Sequence, residues 1–145
     1  MIGLLQRVTE ARVTVEGECI AAIGPGLAVL VGVTAADREA NADRLAERLL
    51  GYRAFPDSAG RMNLGLAETG GGLLLVPQFT LAADTRKGRR ASFTGAAPPE
   101  VARSLFERLA ATARARHEPV ATGRFGADMQ VSLVNDGPVT FWLEG

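Results

Sequence analysis

Residues 2–33, IGLLQRVTEARVTVEGECIAAIGPGLAVLVGV, decide the fold class. They are rich in Val, Ile and Leu and are interrupted only at Glu16-Gly17-Glu18 and Gly24-Pro25-Gly26, residue types that build tight turns. The stretch reads as a β meander. Beyond it, Asp37 is placed to cap a helix carrying Ala42, Leu45, Ala46 and Leu49 at three- and four-residue spacing and ending near Gly51. Phe55 to Gly60 is a turn, and Gly70-Gly71-Gly72 is a flexible link into the apolar strand Leu73 to Val76, which runs straight into Pro77-Gln78-Phe79-Thr80-Leu81. After a polar, basic loop from Ala82 to Gly95, Pro98-Pro99-Glu100 opens a second helix with Val101, Leu105, Phe106 and Leu109 on one face. Two further strand-like runs, Met129 to Val134 and Val139 to Leu143, flank Asn135-Asp136-Gly137-Pro138, which carries an Asp-Gly hairpin signal. Few of these connections resemble βαβ crossovers. The order predicts an α+β fold: a mainly antiparallel sheet curled into a barrel-like core, with two helices packed outside, in one domain over residues 1–145.

Sixteen basic and sixteen acidic residues balance to zero, so contact with nucleic acid has to come from a local patch and not from the charge of the whole molecule. The first residues meet the charge of Arg7 early, with no long apolar region and cleavage site, which predicts no secretory signal. The longest apolar run, Leu27 to Val33, is far short of the roughly 20 residues of a membrane-spanning helix. The single cysteine, Cys19, excludes an intrachain disulfide and a thiolate metal cluster. These features predict a soluble, cytoplasmic protein without membrane contact.

The familiar catalytic side-chain sets are missing. His117, the only histidine, follows an arginine-rich helix end and reads as a surface residue near the helix dipole. Cys19 lies in a β run, where a small buried hydrophobe is the ordinary reading. Asp128 and Asp136 have no partners at metal-ligand spacing, and no metal site is expected. Two features remain. The segment Thr85-Arg86-Lys87-Gly88-Arg89-Arg90 sets four positive charges beside a glycine, either to grip phosphates or simply as a solvated loop. At Gly137-Pro138, proline removes a donor from the following strand, which leaves carbonyls at this tip free for another partner unless it is an ordinary hairpin end.

Three stretches, Gln6-Arg7-Val8, Gln78-Phe79-Thr80-Leu81-Ala82-Ala83-Asp84 and Asn135-Asp136-Gly137-Pro138-Val139-Thr140, together closely resemble the D-aminoacyl-tRNA deacylase family. Gly51-Tyr52-Arg53, Met62-Asn63-Leu64, Thr122-Gly123-Arg124-Phe125 and Asp128 to Leu133 agree in order and spacing, so the resemblance covers essentially the whole chain. It implies a two-fold homodimer in which each active site borrows the Gly-Pro tip of the other subunit. It further implies that the Gly137-Pro138 bond is cis and that its carbonyls contact the substrate's α-amino group, leaving no room for an L side chain. D-aminoacyl-tRNA and glycyl-tRNA are then the substrates. Backbone donors around Phe79 and Thr80 stabilise the oxyanion, with the terminal 2′-hydroxyl of the tRNA assisting. Gln78 is a supporting polar residue, Arg7 holds the tip, and Met129 joins the substrate-binding set. Arg86, Lys87, Arg89 and Arg90 contact tRNA phosphates. No cofactor or metal is implied.

One position departs from the family pattern. Pro77 stands where serine is usual, so a serine hydroxyl cannot be the nucleophile here. Related animal-type deacylases, which remove a mischarged L-amino acid, also carry proline there, but Phe79 and the Gly137-Pro138-Val139-Thr140 ending follow the D-specific pattern. The alternatives are a broader-specificity tRNA deacylase, a catalytically silent nucleic-acid-binding module, and a structural dimer with no RNA partner.

Overall fold

In the computed structural model, which describes residues 1–145, one long strand organises the sheet. Strand β1 (Ile2–Val15) pairs antiparallel with β2 (Glu18–Ile23) through its second half and with β3 (Gly26–Gly32) through its first half. Its other edge is covered along nearly its whole length by the last strand, β8 (Gln130–Glu144). The β1–β2 turn is carried by Glu16 and Gly17 at φ 50° and 82°, the paired positive angles of a tight hairpin whose twist matches its strands.

Helix α1 (Glu39–Gly51) leads through a short hairpin, β4 (Phe55–Pro56) with β5 (Met62–Leu64), and the single-turn helix α2 (Leu66–Thr69) to β6 (Gly72–Pro77). Helix α3 (Pro99–Arg114) then leads to β7 (Val120–Thr122). β6 lies parallel to β3, and β7 parallel to β6. The expectation of a mainly antiparallel, curled sheet with packed helices holds, but both helices sit in βαβ crossovers that the sequence pattern did not reveal. Long connections hide them: the β4–β5 hairpin dilutes the first, and the basic loop dilutes the second.

Buried Leu45, Leu49, Leu105, Phe106 and Leu109 pack the helices on the first face of the sheet against Leu5, Val29, Leu73 and Leu75. The inside of the curl holds a second, smaller cluster that includes Val8, Val13, Ile23, Leu74 and Val76. Arg108 clamps the two helices together, forking onto Asp43 at 3.0 and 2.7 Å and reaching Glu39 at 2.8 Å.

Four local expectations are corrected. Asp37 is not the helix cap: Arg38 takes that place, with Asn41 reaching back to its N–H, while buried Asp37 pairs with the Met1 ammonium and accepts from the Thr34 N–H. Val101 is exposed and Ala102 takes its inward position, one residue round the helix. Cys19 is exposed at the start of β2. Finally, Asn135 to Pro138 is no hairpin end. Residues 130–134 pair with 10–14 of β1 and residues 140–144 pair with 2–6 of the same strand, so the chain keeps its direction and the motif is a wide bulge.

Candidate active site

The parallel strands end at one rim, and the loops beyond the carboxyl ends of such strands are where open sheets commonly bind ligands. At this rim Pro77 closes β6, Gln78 donates its N–H to the Val31 carbonyl at 2.7 Å, and Phe79–Ala82 wind into one 3₁₀ turn. The first N–H groups of such a turn have no carbonyl behind them. The bonds of this turn begin with Leu81, which returns to Gln78, and continue with Ala83, which returns to Thr80, so the N–H groups of Phe79 and Thr80 stand at its open head. The Gln78 side-chain amide donates to the Thr80 hydroxyl and braces the turn. Phe79, 60 % exposed, leans on Phe93 with ring centroids 5.2 Å apart.

Beside the turn opens a cleft of about 480 Å³, walled by Pro77, Gln78, Phe79, Phe125 and Met129, with Asp128 as its one lining carboxylate. The Met129 sulfur accepts from the Arg124 N–H at 3.3 Å, which fixes that wall. Gln78, Phe79 and Met129 therefore meet in one place, with Thr80 next in line.

The Gly-Pro motif lies elsewhere in the same chain. Gly137-Pro138 is cis, as the resemblance implies, and sits in the bulge opposite Arg7. Gly137 has φ 143°, a region that only glycine adopts readily. Arg7 holds the motif: its Nε donates to the Asp136 carbonyl at 3.0 Å, and its Nη1 to the Ala54 carbonyl at 2.8 Å. Asn135 completes the brace, accepting from the Val139 N–H at 2.8 Å and donating to the Thr140 hydroxyl at 2.9 Å. Strand register separates the two features. Arg7 is level with Leu27 and Leu73, whereas Pro77 is level with Val31 and Gly3. Four residues of strand are roughly 13 Å, and β1 and β3 lie between, so the tip does not reach its own cleft.

The basic loop divides internally. Backbone bonds between Asp84 and Ser92, at 2.7 and 3.0 Å, close it. Arg86 forks onto Asp84 at 2.9 and 2.7 Å, and this pairing holds the Asp84 carboxyl far below the usual carboxylate range while raising the guanidinium. Lys87, Arg89 and Arg90 make no ion pair and face solvent. His117 is half-buried away from the cleft, its Nε2–H donating to the Gly71 carbonyl at 2.7 Å. Sequence reasoning gave no role to Phe93, Phe125, Asn135 or the neutralising Asp84, although the last three lie in the stretches that carry the resemblance. For Asn135 the role itself had a signal, since Asn before a tight turn commonly bonds backbone a few residues on.

The sequence model of the D-Tyr-tRNA(Tyr) deacylase family matches residues 4–144. The chain belongs to this family. Among deacylase relatives, the D-aminoacyl-tRNA deacylase of Thioalkalivibrio sulfidiphilus (strain HL-EbGR7) is 69 % identical over 144 residues, covering 99 % of this chain and 97 % of the relative. That of Methylococcus capsulatus (strain ATCC 33009 / NCIMB 11132 / Bath) is 65 % identical over 143 residues, 99 % of this chain and 94 % of the relative. The solved c-Myc DNA Unwinding Element Binding Protein superposes with a TM-score of 0.95 at 37 % identity, over 100 % of this chain and 99 % of its own. A structure described as a probable eukaryotic D-amino acid tRNA deacylase shares the fold, with a TM-score of 0.85 at 18 % identity, over 99 % and 98 % of the two chains.

Proposed function

We propose that this chain hydrolyses the ester joining a D-amino acid, or glycine, to the 3′ end of tRNA, releasing the amino acid and tRNA. The observation that carries the mechanism is the pair of N–H groups of Phe79 and Thr80 at the open head of the 3₁₀ turn, beside an apolar cleft. Water adds to the ester carbonyl carbon, and the two N–H groups receive the developing oxyanion. Collapse of the tetrahedral intermediate breaks the bond to the ribose oxygen, which leaves with a proton relayed by the neighbouring ribose hydroxyl. The Gln78–Thr80 bond keeps both donors aimed. No step requires a side-chain nucleophile, and Pro77 in place of serine is compatible with the reaction.

Selection against L-amino acids rests on a second subunit. The register sets Gly137-Pro138 and the cleft four residues apart along the strand direction, with β1 and β3 between them. Between them Trp142, Leu4 and Leu30 line up across β8, β1 and β3. Trp142 is 50 % exposed and the two leucines are half-buried. A two-fold axis near this row buries it and lays each tip over the partner's cleft. The tip carbonyls then accept from the substrate ammonium and occupy the space an L side chain needs. Discrimination by backbone leaves the D side chain unread, so many D-amino acids are accepted.

The deciding experiment incubates D-tyrosyl-tRNA, L-tyrosyl-tRNA and glycyl-tRNA with catalytic amounts of protein, with and without chelator. Loss of the D and glycyl esters alone, indifferent to chelator, supports the proposal. Loss of an L ester points to the broader-specificity deacylase. A second reading draws on the name of the 37 % identical structural relative, which describes DNA binding, and on Lys87, Arg89 and Arg90, which join no ion pair. It is a nucleic-acid-binding module without turnover, and tight, salt-sensitive binding with every ester intact would establish it.

A further inference from the structure

Arg103 of α3 lies over the outer wall of the cleft, its guanidinium carbon 5.0 Å from the centroid of the Phe125 ring. Arg124 immediately precedes Phe125 in the chain, on a turn fixed by the Ala127 N–H to Arg124 carbonyl bond at 3.2 Å and by the Met129 sulfur. Both side chains are exposed, and neither joins any of the molecule's ion pairs. This contrasts with Arg86 and with Arg108 and Arg116, each of which is matched to a carboxylate. Stacking on an aromatic face orients a guanidinium while leaving its N–H edge free, and that edge suits a phosphate. Asp128 disfavours a phosphate within the cleft itself, so a phosphate attached to a bound nucleoside belongs on the rim, where the two arginines are.

We propose that Arg103 and Arg124 form a phosphate clamp for the single-stranded 3′ end of tRNA, gripping the linkage next to the terminal aminoacylated nucleoside. The inference rests on the tRNA reading above and adds a contact separate from the Ala82–Gly95 loop. The clamp holds the last linkage close to the cleft, while Lys87, Arg89 and Arg90 remain free for phosphates farther along the acceptor strand.

The test compares two substrates, D-tyrosyl-adenosine, which has no phosphate, and the D-tyrosyl ester of the trinucleotide CCA. The variants are Arg103→Gln with Arg124→Gln, and separately Arg89→Gln with Arg90→Gln. The clamp predicts that the first pair lowers kcat/KM on the trinucleotide about tenfold and leaves D-tyrosyl-adenosine unchanged, each exposed contact supplying a few-fold. The log–log salt dependence for the trinucleotide should also fall by about 0.7, as for one neutralised phosphate on a single strand. The second pair should weaken full-length tRNA and spare the trinucleotide. An unchanged trinucleotide rate and salt slope in the first pair overturns the clamp, as does an equal loss on both substrates, which would mark a disturbed Phe125 wall. If the unsubstituted protein cleaves neither ester, hydrolysis of D-tyrosyl-tRNA decides separately whether the deacylase reading fails. In that case the first pair's effect on trinucleotide affinity, followed by fluorescence anisotropy, still decides the clamp.

Discussion

Replacing Gly137 by alanine tests whether the geometry of the bulge, and not the mere presence of a proline, excludes L-substrates. At φ 143° a residue with a Cβ is in a region essentially reserved for glycine, at a cost of about 1–3 kcal/mol. The new Cβ would also lie 2.7 Å from Val139 Cγ2 and 2.9 Å from the Val139 backbone nitrogen. The methyl can rotate away. The nitrogen can retreat only by pulling on its bond to Asn135, because the Val139 N–H is pinned there at 2.8 Å. Strain and overpacking together come to roughly 2–4 kcal/mol, or about 5–15 °C in Tm for a chain of this size. The protein can escape the global loss only by releasing the tip, breaking the Arg7 contact to the Asp136 carbonyl at 3.0 Å. The two measurements are therefore the melting temperature by circular dichroism and the ratio of D- to L-tyrosyl-tRNA hydrolysis. Either Tm falls by at least about 5 °C, or it holds and the ratio collapses as L-ester begins to be cleaved. A variant that melts like the parent and still rejects the L-ester refutes the reasoning.

Other perturbations separate the remaining parts. Thr80→Val removes the hydroxyl but keeps the main-chain N–H, so kcat should fall less than the roughly hundredfold typical of losing an oxyanion donor; a fall of that size would move the chemistry to the side chain. Asn135→Ala strips the buried Val139 N–H of its acceptor, and urea titration should show a loss of about 1–3 kcal/mol. Trp142→Glu places charge in the proposed interface, and light scattering should then report the 15.2 kDa chain in place of twice that mass, with rejection of the L-ester lost in parallel. Asp43→Asn tests the helix clamp: hydrogen bonds from Arg108 and Thr112 hold the Asp43 carboxyl below its usual range, so its contribution is present above the ordinary aspartate pKa and is lost as pH falls through the depressed one. The variant should melt below the parent at pH 7, and the gap should close on acidification below about pH 4.

What was legible in the sequence follows from where the chemistry is local. The meander of residues 2–33 was readable because alternation and turn residues act over a few positions, and α1 because Ala42, Leu45, Ala46 and Leu49 keep helical spacing. The parallel pairings of β6 with β3 and β7 were not, since Leu73 to Leu75 form a continuous apolar run that fits either direction of pairing. Asp37 misled for a related reason. An aspartate before a helical run ordinarily caps it, but this one is drawn inward by the Met1 ammonium, a partner 36 residues away.

The candidate site divides along the same line. Gln78, Phe79 and Thr80 are contiguous, so a stretch of sequence could mark them, and one strand end holds all three. Phe125 and Met129 reach the cleft only through the crossover that ends in β7, and Phe93 only through a loop whose closure depends on the Asp84–Ser92 bonds. The Gly-Pro motif shows the limit most clearly. Its sequence suggested a hairpin, which would have made the tip a free end able to swing. The observed bulge has both flanks zipped to β1, with Arg7 and Asn135 bracing it from either side. A tip held this firmly cannot fold back across the sheet to its own cleft. If it excludes L-amino acids at all it must do so in another copy of the chain, so loss of the dimer should abolish chiral selection even where the Phe79 and Thr80 donors are untouched.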